Sequence, residues 1–379
     1  MNAASPITPG VPAEGAAGLP ASAFQRWPLS DAAQLESGRL LGGLVYGWME
    51  GGGALPDGLA AVPASLLLHQ QVCADVWLAS GPVEAGQTGR VRWRHDGQHL
   101  FGAVDLPEDG AGLEALSRRA YGDLFACLAT TGFAHLYRLW NYLPRINEDG
   151  GGLERYRQFN SGRQQAFLEA GRAAFEGAPA ACALGLHRGG LILRFLAARV
   201  PPQPIENPRQ IPAWRYPADY GPRAPTFSRA AVVRQPDGVK QVFVSGTASI
   251  VGHATVHVDD LQGQLEETLR NLDAVLAEAN HHGGGGGFTL AGSDAIVYVR
   301  HPDDAPILRD RLAAAFGPHS PLLRRALFLH ADICRRDLLL EIETHMSIAD
   351  RHAAAVAPPS EATDTQRTAS LRDLDDPAR

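Results

Sequence analysis

The sequence predicts an α+β fold made of two tandem units, each with helices packed on one face of a mixed sheet. The main observation is a repeated order of hydrophobic patterns, in which a strand hairpin, a helix, a strand, a second helix and two more strands occur twice. A proline-rich segment separates the two copies. With 379 residues the chain is long enough for two domains, so we interpret the repeat as a structural duplication with little sequence identity.

Composition suggests where the units begin and end. The N-terminal segment is rich in proline, alanine and glycine and is expected to be a mobile leader. The C-terminal segment is polar, has no hydrophobic period and is expected to be a disordered tail. The predicted divisions are a leader over residues 1–40, a first unit over 41–199, a connector over 200–225, a second unit over 226–350 and a tail over 351–379.

In the first unit, short apolar runs between Leu41 and Leu78 indicate strands joined by loops. Next, VRWRHDGQHLFGAVDL contains an Asp-Gly turn between two alternating runs, which predicts a hairpin. A helix follows, with leucine and alanine at helical spacing, and Gly132 is expected to end it. The strings HLYRLWNYLPRIN, LERYRQFNSGRQQAFLEAG, ACALGLH and GLILRFLAA then predict a strand, a helix and two strands.

The second unit repeats this order. Its hairpin, RAAVVRQPDGVKQVFVSGTASIV, has a turn at Asp237-Gly238. The strings QLEETLRNLDAVLAEAN, DAIVYVRHP, ILRDRLAAAFG and ALFLHADICRRDLLLEIE predict a helix, a strand, a helix and a final pair of strands. The run from His281 to Phe288 holds two histidines and five glycines without a third ligand nearby, so we expect a flexible surface loop and no metal site.

Charge and cysteine content exclude several classes of partner. The formal net charge is -7 and no basic run or stripe occurs, so nucleic acid is not an expected partner. No apolar run is long enough to span a bilayer, and the start lacks the regions of a signal peptide, so no membrane partner is expected. The four cysteines are dispersed, which predicts reduced thiols and a cytoplasmic location.

The closing strand carries the first candidate for catalysis. Because side chains alternate along a strand, Glu341 and Glu343 share one face, with Leu340 and Ile342 on the other. A carboxyl beside apolar neighbours can stay protonated and act as a general acid. The strand alone equally fits two solvated glutamates, and alternation does not distinguish between them.

Several strings resemble known families. FVSGTASI, QLEETLRNLDAVL, VYVRHPDD and LLLEIE occur in the order typical of the RidA/YjgF fold. HLYRLWNYLPRINE, GLERYRQFNSGRQQAF and ENPRQIPAWRYPADYGPRAP resemble the chorismatases, FkbO-like enzymes that remove pyruvate from chorismate. The resemblance covers roughly Leu41 to Ser347 and implies two RidA/YjgF-like units of the chorismate mutase-like barrel type.

The resemblance also implies a reaction. Chorismate would be the small-molecule substrate, and its enolpyruvyl ether would be cleaved to release pyruvate without a cofactor. Such a site needs a protonated carboxyl, cationic groups for two carboxylates and exclusion of bulk water. Small RidA-like proteins are trimers with sites between subunits, so the pocket is expected between the two units of a monomer or small homo-oligomer.

Particular residues match these needs. The resemblance selects Glu341 as the acid and leaves Glu343 as a solvated neighbour. Arginine can bind a carboxylate through two hydrogen bonds, and a tyrosine hydroxyl can donate one. The residues assigned to the substrate in this way are Arg163, Arg223, Arg300, Tyr142 and Tyr216. Arg145 and Arg157 could equally lie on the surface or between domains, and Trp140 and Trp214 are interpreted as packing residues.

Two small residues bear on the product. The combination of Gly246 and Cys334 resembles the branch that forms 3-hydroxybenzoate, in which the ring hydroxyl attacks internally. Both residues could instead be structural, one in a turn and one as a buried hydrophobe. The alternatives are a hydrolytic chorismatase that forms 3,4-dihydroxycyclohexa-1,5-diene-1-carboxylate, a member that forms mixed hydroxybenzoates, and a non-catalytic RidA-like module that binds a metabolite. Imine deamination ranks last, because it leaves the WNY and YGPR strings unexplained.

Overall fold

The computed structural model describes residues 24–34, 38–48, 54–187, 189–235, 238–282 and 286–349. The helices are α1 (Leu29–Ala32), α2 (Gly112–Thr131), α3 (Arg155–Glu169), α4 (Leu261–His282), α5 (Ala305–Phe316) and α6 (Pro321–Arg325). The strands are β1 (Phe24–Pro28), β2 (Leu40–Tyr46), β3 (Leu59–Val62), β4 (Ser65–Leu66), β5 (Cys73–Leu78), β6 (Glu84–Thr88), β7 (Val91–His95), β8 (His99–Leu106), β9 (His135–Pro144), β10 (Ala180–Leu186), β11 (Leu191–Ala198), β12 (Gln203–Ile205), β13 (Ala230–Arg234), β14 (Val239–Thr247), β15 (Ile250–Val251), β16 (Ala254–Thr255), β17 (Asp294–Val299), β18 (Leu327–His330) and β19 (Leu340–Ala349).

The two units have the same sheet topology. In the described part of the chain, the first unit has the strand order β6-β7-β8-β11-β9-β10 and the second has β12-β13-β14-β19-β17-β18, with β4 added at its edge. In both, the last strand inserts between the hairpin and the middle strand, and the outer pair, β9 with β10 or β17 with β18, is parallel. The predicted α+β fold of two tandem units with mixed sheets is therefore confirmed.

Local sequence explains the long helices. Along α2, the apolar residues that recur every three or four positions are buried, and Gly132 ends the helix in the left-handed conformation with φ of 76°. Helix α4 is amphipathic in the same way, with Leu265, Leu272 and Val275 facing its sheet. Neither these helices nor any other helix of the described residues is long and apolar enough to cross a membrane.

The sheets enclose one shared core. The helices cover the outer faces, α2 and α3 on the first unit and α4 and α5 on the second. A further sheet, with the order β1-β5-β2-β3, closes the third side of the core. The aromatic residues of this shared core come from all three sheets and include Phe24, Tyr46, Trp77, Trp140, Tyr142, Phe243 and Tyr298. The inner faces of both units therefore lie against each other, and polar groups there are shielded from water.

The predicted leader extends too far. Residues 24–34 form β1 and α1, and β1 pairs with β5. Arg26 of β1 makes two hydrogen bonds to Asp75, and both side chains are buried. The sequence gives no sign of this strand because its partner lies 49 residues further along the chain, with no hairpin between them.

Some predicted segments lie outside the described residues, and the predicted connector needs a small correction. The rest of the leader, the tail over 351–379, Asp237 of the predicted turn and residues 283–285 of the glycine run lie outside the described residues. The connector is not all loop, because Gln203–Ile205 pairs with β13 and short 3-10 turns occupy Ala213–Arg215 and Ala218–Tyr220.

Candidate active site

A cavity of about 440 Å³ lies between the two units and beneath the connector. The first unit contributes the segment that leads into α3, and the second contributes Gly246 and Glu341. The connector and its continuation supply Tyr216, Tyr220 and Phe227. The wall thus combines three distant parts of the sequence, as expected for a pocket between the units.

Glu341 lies on the wall of this cavity. It belongs to β19, opposite Tyr298 of β17, and its side chain is only 3% exposed. Burial, and next the charge of Glu343, raise the pKa of the Glu341 carboxyl from 4.5 to about 8. Within the described residues the carboxyl has no hydrogen-bond partner that would favour its charged form. At neutral pH it is therefore mostly protonated and can donate a proton to a molecule in the cavity.

Glu343 is buried, and the expectation of a solvated glutamate was wrong. Arg138 of β9 forms a salt bridge with one of its carboxylate oxygens, and the indole nitrogen of Trp140 donates to the other at 3.0 Å. The error arose because the inner face of the first sheet covers this part of β19, which periodicity within one strand does not reveal. Trp140, interpreted from the sequence as a packing residue, also donates a hydrogen bond.

Gly246 and Cys334 both line the cavity. Gly246 lies where the pairing of β14 with β19 is irregular, and a Cβ atom added to it would lie 1.8 Å from Oε1 of Glu341. Only glycine therefore leaves the glutamate in its present position. Burial raises the pKa of the Cys334 thiol to about 12, so this residue is a neutral thiol beside the acid.

Two arginines that the sequence did not indicate border the cavity with Tyr216. Arg229 donates to the Tyr216 hydroxyl at 2.8 Å, and Arg335 stacks on Tyr220 with 4.2 Å between the guanidinium carbon and the ring centroid. Among the described residues, Nε of Arg229 and Nη2 of Arg335 are buried and have no hydrogen-bond partner. Unpaired buried donors of this kind are suited to an anionic ligand.

The sequence pointed to the neighbourhood of Arg335 but not to Arg229. Arg335 directly follows Cys334, in a string already connected with the site, and Tyr220 lies in the connector string. Arg157, which the sequence left open, lines the cavity and pairs with Glu154 at 3.3 Å. Arg229 immediately precedes β13, and nothing local distinguishes it from a solvated arginine at the end of a strand.

Four residues predicted to bind substrate do not line the cavity. Tyr142 is fully buried in the shared core, where its hydroxyl lies 3.1 Å from that of Tyr298. Arg163 is also buried, with its guanidinium carbon within 6 Å of three aromatic ring centroids. Arg223 is exposed and contacts two glutamine side chains of α3. The fourth is Arg300.

The guanidinium of Arg300 lies behind the cavity wall, where it binds one carboxylate and several main-chain carbonyl oxygens. It donates to Asp332 Oδ1 at 2.6 Å and to the carbonyl oxygens of Leu338 at 2.7 Å and Arg335 at 2.8 Å. These bonds fix the loop that carries Cys334 and Arg335. Arg300 therefore positions part of the wall without reaching the cavity.

No cluster of three or more histidine, cysteine or acidic side chains with metal-binding geometry occurs among the described residues. The groups at the cavity are suited to proton transfer from Glu341 and to binding of negative charge by Arg229 and Arg335. An anion with a site for protonation, held out of bulk water, matches this arrangement.

Several known proteins are similar to this chain in sequence and fold. Residues 75–197 match the family described as chorismatase FkbO/Hyg5-like, N-terminal. A 3-hydroxybenzoate synthase of Streptomyces hygroscopicus is 41% identical over 278 residues, covering 71% of this chain and 80% of the relative. A chorismatase of Streptomyces rapamycinicus is 40% identical over 278 residues, covering 71% of this chain and 81% of the relative. A crystal structure of a chorismatase, 35% identical, superposes with a TM-score of 0.76 over 86% of this chain and 99% of that one. The chain belongs to the FkbO/Hyg5-like chorismatase family.

Proposed function

We propose that this chorismatase converts chorismate to 3-hydroxybenzoate and pyruvate, with Glu341 as the acid that protonates the enol ether. The observation that carries the proposal is a buried carboxyl on the wall of the cavity, with a pKa raised to about 8 and no hydrogen-bond partner among the described residues. An ordinary glutamate would be ionised at neutral pH and could not donate a proton.

The first step is transfer of the Glu341 proton to the methylene carbon of the enolpyruvyl group. The carbon-carbon double bond supplies the electrons, and positive charge develops on the ether carbon and its oxygen. The Glu341 carboxylate left behind stabilises that charge, while Arg229 and Arg335 are suited to hold the two substrate carboxylates. The cavity wall limits access of bulk water to the cation.

The products balance without a cofactor. The atoms of chorismate are those of 3-hydroxybenzoate plus pyruvate, so the conversion consumes no water and needs no external oxidant or reductant. The proton gained by the methyl group of pyruvate is offset by the hydrogen that the ring loses on aromatisation. The hydrolytic branch would instead consume one water and leave the ring as a dihydroxydiene.

Gly246 and Cys334 support the aromatic product. Both line the cavity beside Glu341, and their combination resembles the 3-hydroxybenzoate-forming branch. The relative that is 41% identical bears the name of a 3-hydroxybenzoate synthase, which favours the same branch. Tyr216, held by Arg229, completes this part of the wall and can donate to the substrate.

The test is pyruvate release from chorismate, followed with lactate dehydrogenase, together with chromatography of the ring product. We expect pyruvate and 3-hydroxybenzoate in equal amounts from the wild type, and a loss of at least about a hundredfold in kcat for Glu341→Gln. Glu266→Gln, on an exposed part of α4, is the matched control and should not change the rate. Formation of the diene diol alone would contradict the product, and undiminished activity of Glu341→Gln would contradict the acid.

A further inference from the structure

Glu341 and Glu343 occupy contrasting environments on the same face of β19. Two residues along a strand correspond to roughly 7 Å, so each carboxyl is within the electrostatic field of the other. Glu343 is bound by two donors, while Glu341 has none among the described residues. Glu343 is therefore fixed by its partners, while the Glu341 carboxyl is left free to exchange a proton with a molecule in the cavity.

The donors to Glu343 form a rigid unit. Arg138 and Trp140 are also two residues apart, on the facing strand β9, and the guanidinium carbon of Arg138 lies 5.2 Å from the centroid of the Trp140 ring. The side chain of Arg138 is 2% exposed and that of Glu343 is 7% exposed. A buried carboxylate with a salt bridge and a second hydrogen bond is held in one position.

The other titratable groups around Glu341 do not compensate for this charge. Arg229 is the second nearby cation, and it acts less strongly than Arg138. Burial raises the pKa of the neighbouring thiols and phenols, so at neutral pH they carry no charge. The titratable groups that face Glu341 from the elements around it are Glu343, Arg138, Cys182, Tyr298, Tyr156, Arg229 and Cys334.

We propose that Arg138 and Glu343 are positioning residues for the proposed reaction: their fixed ion pair holds a negative charge beside Glu341, so that Glu341 is the carboxyl of the two that carries the proton. This inference rests on the proposed role of Glu341. It also gives Glu343, the second glutamate of the LEIE string, a function of its own. Glu343 does not line the cavity and acts only through its neighbour.

Removal of the Glu343 charge should shift the pH dependence of kcat/KM in one direction, which can be tested. Glu343→Gln removes the negative charge next to Glu341 and leaves Arg138 without its counter-ion, so the charged form of Glu341 is favoured. The pH above which kcat/KM declines should then fall by about one unit or more, which lowers the rate about fivefold or more at pH 8, with a smaller effect near pH 6. KM should change less than kcat, because neither residue touches the cavity.

A second variant separates charge from packing. Arg138→Met/Glu343→Gln removes both charges, and replacement of a buried ion pair by neutral groups is often tolerated where removal of one partner is not. We expect its kcat/KM to decline within about half a unit of the wild-type pH. Arg138→Lys keeps the positive charge and should also preserve the wild-type pH dependence. Glu169→Gln, in an exposed ion pair of α3 with Arg118, is the control for general effects of a lost carboxylate.

A measurement without substrate keeps this inference distinct from the proposed function. Infrared difference spectra of wild type against Glu341→Gln report the protonated carboxyl of Glu341 directly, whether or not chorismate is cleaved. We expect this band to persist at pH 7 in the wild type and in the double variant, and to titrate at lower pH in Glu343→Gln. If Glu343→Gln does not fold, loss of the band from the double variant at pH 7 overturns the inference. So does an unchanged pH dependence in folded Glu343→Gln.

Discussion

Gly246 and Glu341 are so close that a Cβ atom on the glycine would lie 1.8 Å from the carboxyl oxygen of the glutamate. Two non-bonded heavy atoms cannot approach this closely, so Gly246→Ala must move the Glu341 side chain. We expect kcat for 3-hydroxybenzoate formation to fall roughly a hundredfold, because a displacement of about 1 Å at the reacting groups has effects of that size. The diene diol should appear among the products, which chromatography detects.

Gly122→Ala is the control for this substitution. Gly122 lies in α2 with open space around its Cβ position, so alanine should leave the kinetics unchanged and raise helix stability by about 0.5 to 1 kcal/mol. If Gly246→Ala retained wild-type rate and product, the glycine would not determine the position of the acid.

The pH dependence of the reaction should identify the acid. As the proposed acid, Glu341 has to be protonated before the reaction, and its pKa in the free protein is raised to about 8. We therefore expect kcat/KM to be highest below that pH and to decrease tenfold per pH unit above it, measured as pyruvate release between about pH 4 and pH 10. A decline near pH 4.5, where an ordinary glutamate titrates, would show that another group donates the proton.

Stability should depend on the same carboxyl. Because its folded pKa is raised from 4.5 to about 8, its stabilising contribution is complete below about pH 4.5 and is lost as the pH rises to about 8. Glu341→Gln cannot ionise, so urea unfolding should show a gain of about 2 to 4 kcal/mol at pH 8 and much less at pH 5. An equal gain at both pH values would attribute the effect to packing.

Substrate binding should depend on Arg335. Its buried Nη2 lacks a partner among the described residues, and the side chain is held against Tyr216 and Tyr220. Arg335→Met should raise KM for chorismate about ten- to a hundredfold, as expected for loss of a charged hydrogen bond, with a smaller change in kcat. Arg309→Met, on the exposed face of α5, is the control. An unchanged KM would exclude Arg335 from carboxylate binding.

Local patterns in the sequence were sufficient to predict the repeated units. Paired hairpin strands, helical spacing and the Gly132 stop depend on neighbours within a few residues, and these elements are confirmed. Strand β1 could not be found in this way, because within the described ranges it pairs with β5 alone and its arginine pairs with a residue 49 positions away. The same limit explains Glu343, which is covered by a sheet from the other unit.

The sequence predicted residues of the cavity only where the family resemblance indicated which distant parts of the chain come together. Glu341, Gly246, Cys334 and Tyr216 meet at one cavity although they come from separate parts of the chain. Arginines were harder, since a sequence does not show whether a guanidinium faces a cavity, a carbonyl group or an aromatic ring. Arg300 and Arg163 illustrate the last two cases.

The buried pair of Arg26 and Asp75 should make β1 essential to stability. Their side chains are 3% and 5% exposed, and two hydrogen bonds of 2.6 and 2.7 Å connect them. Asp75→Asn leaves the guanidinium charged and without its counter-ion, which should lower the free energy of unfolding by about 3 to 5 kcal/mol in urea denaturation. Asp310→Asn removes an exposed ion pair on α5 and should change stability little. Equal effects of the two substitutions would mean that β1 contributes no more than a surface contact.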